Sequence, residues 1–310
     1  VPGSRSKSCR GTLLLRLKVP VHLPAFRQSG YPGKLAKTVG ELSAKHHVTR
    51  FGIEAGMTYK MYLSFDEVLP ETDFVFVVPD TLRQIKSAEE IRLIEEACRI
   101  SDLGFEKTVP YIKAGVTEVE LRTILECAML EAGSEGKSFD TIVASGWRSA
   151  YPHGTATDKV IEEGDLVTFD FGAIYHGYHS DITRTVAVGE ISERQRYIYD
   201  AVLGCNEHIE KILRAGLAAA DVDQESRKYL KEKDLDKWFG HALGHSVGLE
   251  IHETPTLSPR DHTVLCAGMT ETVEPGVYIL GVGGVRIEDT VVIEKDGISI
   301  LTKFPKKFLR

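Results

Sequence analysis

Asp170, Asp181, His245, Glu274 and Glu288 each stand in a strand or turn context within the second half of a 310-residue chain. A fold that gathers them must first solve an electrostatic problem. Each unpaired buried charge costs on the order of several kcal/mol, so four carboxylates share a pocket only where cations neutralise them. The set is rich in oxygen donors and carries one imidazole, which suits two divalent cations and points to a metallohydrolase.

The local patterns show how such a site could form. In Leu166-Val167-Thr168-Phe169-Asp170, strict alternation puts Asp170 on the face of Leu166 and Thr168, with Val167 and Phe169 on the other. A turn through His176-Gly177 lets the chain reverse, and the returning strand carries Asp181, Thr183 and Thr185 on one face. A hairpin of this kind would set Asp170 across from Asp181. Glu274 precedes a Pro275-Gly276 turn, and Glu288 lies on the strand that starts after Gly283-Gly284. Single acids are usually solvated residues or caps. Asp170 departs from that because it ends an apolar strand beside Phe171-Gly172. Glu288 departs because Arg286-Ile287-Glu288-Asp289 interrupts the valine-rich run from Val285 to Ile293.

Three regions follow from composition and periodicity. Residues 1–34 are rich in Ser, Gly, Pro and basic side chains and lack a starting Met, and are read as an unmatched tail, disordered or introduced by cloning. Residues 35–82 hold a helix-like stretch from Leu35 to Ala44, a β-like run from Val48 to Ile53, and a strand-like Phe74 to Val78, the start of an α/β domain with few elements to close a core. Residues 83–310 form the second domain. Capping boxes at Ser87/Glu90, Thr117/Glu120 and Ser192/Gln195 open three amphipathic helices. Strand-rich blocks at Phe139–Ser145, Leu166–Phe171, Ile182–Val188, Met269–Glu274, Val277–Leu280 and Val285–Ile293 alternate with them. The expectation is an α+β fold in which helices cover one face of a curved sheet.

The net charge of −7 argues against nucleic acid as a partner, because phosphate neutralisation needs clustered Lys and Arg. The apolar run Leu13-Leu14-Leu15 is cut short by Arg16 and Lys18, so neither an export signal nor a membrane anchor is expected. Five scattered cysteines without CxxC spacing suggest no disulfide framework and no zinc knuckle, and fit a cytoplasmic location.

Several ordered motifs carry a resemblance: Phe139-Asp140-Thr141-Ile142-Val143-Ala144-Ser145-Gly146, Pro152-His153-Gly154, Asp170-Phe171-Gly172, Ser180-Asp181-Ile182-Thr183-Arg184-Thr185, His241-Ala242-Leu243-Gly244-His245, Gly248-Leu249-Glu250-Ile251-His252-Glu253, Thr272-Val273-Glu274-Pro275-Gly276 and Arg286-Ile287-Glu288-Asp289. From about Arg83 onward the chain closely resembles the bacterial Xaa-Pro aminopeptidases of the pita-bread metallopeptidase family. The resemblance implies an α+β pita-bread catalytic domain preceded by a partial α/β N-terminal domain. It also implies that Asp170 chelates one metal, Asp181 and Glu288 bridge both, and His245 and Glu274 complete the second. The ions would be Mn²⁺, about 3.5 Å apart with a bridging water or hydroxide as nucleophile. Glu274 would shuttle the proton to the leaving prolyl nitrogen, while His153, His241 and His252 would bind substrate and stabilise the oxyanion. The implied substrate is a peptide with proline at the second position, and the reaction is removal of its first residue. The alternatives are an Xaa-Pro dipeptidase and a pita-bread binding module without catalysis.

Two departures stand out. The family's N-terminal domain, which shapes the substrate entrance and contributes to homo-oligomer contacts, is matched here only in its later half. Glu271 occupies a position that is usually apolar, and it points opposite to Glu274, so it either finds a basic partner or weakens its strand.

Overall fold

The computed structural model describes residues 32–54, 56–77 and 80–307. The tail read over residues 1–34 lies outside the described residues as far as residue 31, and its last three residues open the first helix. The chain divides into two compact units between Val78 and Pro79.

The first unit runs α1 (Pro32–His46), β1 (Arg50–Glu54), α2 (Tyr59–Val68) and β2 (Asp73–Val77). The segment Tyr59–Leu69, apolar-leaning in sequence, becomes α2 because the Thr58 hydroxyl accepts from the Met61 N–H and caps it. β1 and β2 pair in parallel with Phe51 opposite Phe74. Ala36, Phe65 and Leu69 form the buried centre of this small core, packed by Val39, Phe51 and Phe74. Phe76 on β2 stays 78% exposed, as expected of a strand that has one partner among the described residues.

The second unit begins with the short helix α3 (Asp80–Arg83) and the long helices α4 (Ala88–Thr108) and α5 (Glu118–Glu131). Both long helices carry complete capping boxes, Ser87 with Glu90 and Thr117 with Glu120. β3 (Ile142–Ser145), β4 (Leu166–Phe171), the two-residue β5 (Ile174–Tyr175) and β6 (Tyr178–His179), and β7 (Ile182–Ala187) follow. Then come α6 (Glu193–Ile212), boxed by Ser192 and Gln195, and α7 (Ala219–Lys231). The chain continues through β8 (Gly244–Ser246), β9 (Glu253–Leu257), β10 (Thr270–Val273), β11 (Gly276–Ile279), β12 (Gly283–Arg286), β13 (Asp289–Ile293) and β14 (Ile298–Ile300). No helix among the described residues is long and apolar enough to cross a membrane.

Hydrogen bonding divides the expected curved sheet into antiparallel ladders, β3-β4-β7 and β10-β13-β14, with the hairpins β5-β6, β8-β9 and β11-β12. Each three-stranded ladder buries one face under helices. Val143, Val167, Phe169 and Val186 pack with Ile100 and Phe105 of α4 and Leu121 and Leu125 of α5. Val273, Val291 and Ile293 pack with Val202, Cys205 and Ile209 of α6 and Val222 of α7.

Two details of the ladders differ from the sequence expectation. Asp170 faces Thr183 rather than Asp181, because the short β5-β6 hairpin absorbs the reversal at His176 and Gly177 and Asp181 falls just before β7 begins. The run from Val285 to Ile293 is two strands, not one: β12 pairs with β11, β13 pairs with β10, and Ile287 and Glu288 are the crossing between them. The crossing is held by a fully buried Arg184, whose guanidinium donates to the Glu288 carbonyl and to Asp289 Oδ1 at 2.8 Å.

Lys306 adds a second cation behind this crossing, 2.8 Å from Asp289 Oδ2 and paired also with Glu210. Burial, reinforced by the Asp289 charge, pushes the Glu210 carboxyl up to about 7, although Lys306 pulls the other way. A raised acid holds its proton in the fold at pH values where the unfolded chain has released it. Its contribution to stability is complete below the ordinary carboxyl value and is lost as pH rises through about 7. The unfolding free energy is therefore expected to fall between about pH 5 and about pH 8, and to fall less in Glu210→Gln, as urea unfolding at the two pH values will measure.

Candidate active site

Asp170, Asp181, His245, Glu274 and Glu288 line one cavity of about 490 Å³, together with His153, His241, His252 and Arg286. Each reaches it from a different piece of backbone. Asp170 lies in β4, Asp181 just before β7, and His245 in the middle of β8. Glu274 is one residue past β10 and Glu288 one residue before β13. Because Val273 pairs with Asp289, these two acids stand next to each other at the ladder's end.

Backbone ties hold the segments in place: Glu274 N–H donates to the Leu243 carbonyl at 2.9 Å, Glu288 N–H to the Thr183 carbonyl at 3.1 Å, and the Thr290 hydroxyl to the Asp181 carbonyl at 2.7 Å. Gly244 permits the approach of β8 to β10, since a Cβ there would sit 1.9 Å from the Thr272 carbonyl oxygen.

The carboxylates share a pattern. Arg286 donates to Asp170 Oδ2 at 2.6 Å, and the Thr183 hydroxyl donates to Glu288 Oε2 at 2.6 Å. Asp181 Oδ2 lies 3.5 Å from His245 Nε2. In each case the other oxygen, Asp170 Oδ1, Asp181 Oδ1 or Glu288 Oε1, is buried without a hydrogen-bond partner among the described residues. Thr272 donates to Glu274 Oε1 at 3.0 Å. Donor atoms of Asp181, His245 and Glu288 all fall within 4.8 Å of one another. His245 Nδ1 is 3.1 Å from the Ser246 carbonyl, so a proton on Nδ1 is satisfied there and the Nε2 lone pair is left for the cleft.

Bare, the cluster is electrostatically frustrated. Burial and then the charges of Asp170 and Glu274 push Asp181 well up, and burial followed by Asp181, Glu274 and Asp170 does the same to Glu288. Burial raises Glu274 too, against the pull of His245 and Arg286. Unpaired buried oxygens on Asp170, Asp181 and Glu288, crowded anions and an imidazole nitrogen left for the cleft are a donor set that divalent cations satisfy, with Asp181, His245 and Glu288 the three whose donor atoms stand closest together.

The histidines divide. His153 and His252 line the cavity, and the His252 ring stands 4.4 Å from that of His245. His241 uses both nitrogens inside the protein: Nδ1 is 2.7 Å from the Ala242 carbonyl and Nε2 is 2.9 Å from the Tyr278 hydroxyl. Burial, with Arg286 and His153 nearby, lowers His241 to about 4, so the ring is neutral near pH 7. A consistent chain follows in which Arg286 donates to the Tyr278 hydroxyl at 2.7 Å, Tyr278 donates to His241 Nε2, and His241 Nδ1 donates to Ala242. His241 also lines the cavity, with both of its nitrogens engaged inside the protein.

Arg286, which the sequence places on the face of Glu288 as a group to orient that carboxylate, instead donates to Asp170, and its Nε reaches Thr183 at 3.1 Å. Other groups that hold the site were not singled out in the sequence. The alternation that put Thr183 and Thr185 on the face of Asp181 contained part of this signal. Glu118 had none, lying inside a capping box that explained it already. It is fully buried and accepts from Ser145 N–H and hydroxyl, Thr157 N–H and hydroxyl, and Arg148, closing the loop that carries His153. Glu271 is fully buried, and neither of its oxygens has a hydrogen-bond partner among the described residues.

Residues 92–295 match the profile of metallopeptidase family M24. The chain belongs to that family. Among relatives of this M24 peptidase, an Xaa-Pro dipeptidase of Pyrococcus furiosus is 46% identical over 260 residues, covering 83% of this chain and 75% of that protein. The solved structure of an Xaa-Pro dipeptidase from Bacillus anthracis aligns with a TM-score of 0.86 at 44% identity, covering 89% of this chain and 78% of that one. An X-Pro aminopeptidase structure from Thermotoga maritima aligns with a TM-score of 0.84 at 38% identity, covering 89% and 80%. The second unit of this M24 peptidase has the α+β pita-bread fold, and peptidases of the family use divalent metal ions.

Thr183 is the most economical point at which to test the geometry. Thr183→Val keeps the shape but removes the hydroxyl that holds Glu288 Oε2 and meets Arg286 Nε. Affinity for a divalent ion, probed with Mn²⁺ by calorimetric titration without substrate, is expected to fall about 10–100-fold while the fold persists.

Proposed function

We propose that this chain is an Xaa-Pro dipeptidase that hydrolyses the bond between an N-terminal residue and a C-terminal proline. The observation that carries the reading is the likeness, at 46% identity, to a protein named Xaa-Pro dipeptidase. The apolar side chains of Phe139, Ile142, Pro152 and Ile251, set in the same cavity as the acids, support it as surroundings for a prolyl ring. The second reading, an Xaa-Pro aminopeptidase accepting longer peptides, is favoured by the likeness to the Thermotoga maritima structure.

In this reading Asp170, Asp181, His245, Glu274 and Glu288 hold two divalent ions, and the predominance of oxygen donors with a single imidazole favours Mn²⁺. When bound, such ions polarise the scissile carbonyl and make a water reactive near neutral pH. The protein's own groups do the rest. Glu274, with Oε1 fixed by the Thr272 hydroxyl and its proton affinity raised by burial, takes up a proton from the attacking water and delivers it to the departing prolyl nitrogen. His153 and His252 face the cavity and donate to the oxygen on which negative charge develops. Arg286 keeps Asp170 in place and, through Tyr278, keeps His241 neutral and directed toward Ala242.

The two substrate readings separate in one assay. An Xaa-Pro dipeptide is expected to be cleaved with a kcat/KM well above that of an Xaa-Pro-Xaa tripeptide, each measured with and without added Mn²⁺; faster tripeptide cleavage selects the aminopeptidase. Glu274→Gln is expected to lower kcat by about 10²–10⁴-fold, the range for lost general acid–base catalysis. Turnover unchanged by that substitution would remove Glu274 from the proton path.

A further inference from the structure

The segment joining α3 to α4 reaches repeatedly toward one loop of the cleft. Lys86 donates its backbone N–H to the Gly268 carbonyl at 2.8 Å, and its side chain is almost wholly buried. The ammonium Nζ donates to Ser246 Oγ at 2.8 Å and to Glu253 Oε2 at 3.1 Å. Ser246 and Glu253 are paired positions of β8 and β9, at the point where that ladder slips its register between His245 and Ser246. Glu253 turns its other oxygen inward, and Oε1 accepts from the Leu249 N–H at 2.9 Å and the Glu250 N–H at 3.2 Å. The loop wraps directly on this carboxylate, since a Cβ on Gly248 would lie 2.7 Å from Glu253 Oε2. Neighbours of Lys86 reach the same place: Gln84 Nε2 donates to the Thr254 hydroxyl at 3.3 Å, and Arg83 stands 3.9 Å from Glu250.

His245 immediately precedes Ser246, and His252 immediately precedes Glu253. We propose that Lys86 is a positioning residue whose buried ammonium clamps the strand bearing His245 to the loop bearing His252 and so sets how the two imidazoles stand in the cleft. The role of His252 toward substrate rests on the function proposed above; the clamp itself does not.

A buried ammonium is costly, and a well-packed apolar side chain could replace a purely structural ion pair at little loss or with a gain. Lys86 stands at a ladder slip, where regular pairing cannot hold two strands in register. The cation in this position bridges the two segments through Ser246 and Glu253.

The test compares wild type, Lys86→Met, His252→Ala and the double variant. Amide exchange at Leu249 and Glu250 is expected to accelerate at least about tenfold in Lys86→Met while that of α6 stays unchanged. In the folded enzyme kcat is expected to fall about 10–100-fold, with KM changing less. The double variant is expected to be no more than about threefold slower than His252→Ala alone, because residues acting through one another are not additive. A Lys86→Met enzyme that is merely less stable, with kcat within twofold and unchanged exchange in the loop, would overturn the proposal, as would losses that multiply fully in the double variant. If Lys86→Met does not fold, Ser246→Ala removes one arm of the clamp. It is expected to shift loop exchange and kcat in the same direction by a smaller factor, and no shift in either would be fatal. A wild-type protein that cleaves no Xaa-Pro peptide would refute the proposed function alone, since the exchange comparison still decides the clamp.

Discussion

Mutual repulsion among Asp170, Asp181, Glu274 and Glu288 is the constraint around which the rest of the second unit is arranged. Left to themselves these groups would disperse into solvent or take up protons, and burial raises three of them in that direction. The structure holds them together by giving Asp170 and Glu288 one oxygen bound by Arg286 or Thr183 and one left bare, and by placing the His245 ring beside Asp181 and Glu274. Strain of this kind at a site is tolerated where neighbouring elements fix it from several directions. Here the fixing elements are two helix-backed ladders and the backbone bonds that cross between them.

The cleft is bordered by irregular chain, and two buried carboxylates organise it in the same manner. Glu118 gathers Ser145, Arg148 and Thr157 around the loop with His153, and Glu253 gathers Leu249, Glu250 and Lys86 around the loop with His252. A loop lacks a ladder to satisfy its amides, and a charged acceptor makes stronger bonds to them than a neutral one. Placing these acids at the start of α5 and of β9 ties each histidine-bearing loop to a regular element.

Much of this organisation was legible before any coordinates. The three capped helices announce themselves because Ser or Thr followed three residues later by Glu or Gln is a local signal, and α7 went unread because Ala218 offers no side-chain cap. The convergence of the five acidic and histidine positions was visible through ordered motifs, each short and each with its own context. Register was not: whether Asp170 faces Thr183 or Asp181 depends on how many residues the β5-β6 hairpin consumes, and the partner of β13 lies outside the local sequence. Side-chain accounting was equally hidden. Nothing in the sequence says that His241 would spend both nitrogens on Ala242 and Tyr278, or that Glu271 would be buried with no hydrogen-bond partner for either oxygen among the described residues.

The crossing at Ile287 and Glu288 carries a consequence of its own. Because the chain leaves one ladder and enters another at that spot, Glu288 is pinned by Thr183 on one side and by its strand neighbour Asp289 on the other. Anything bound through Glu288 is thereby tied to β7 through Thr183 and to β13 through Asp289, so it joins two ladders that no single strand shares.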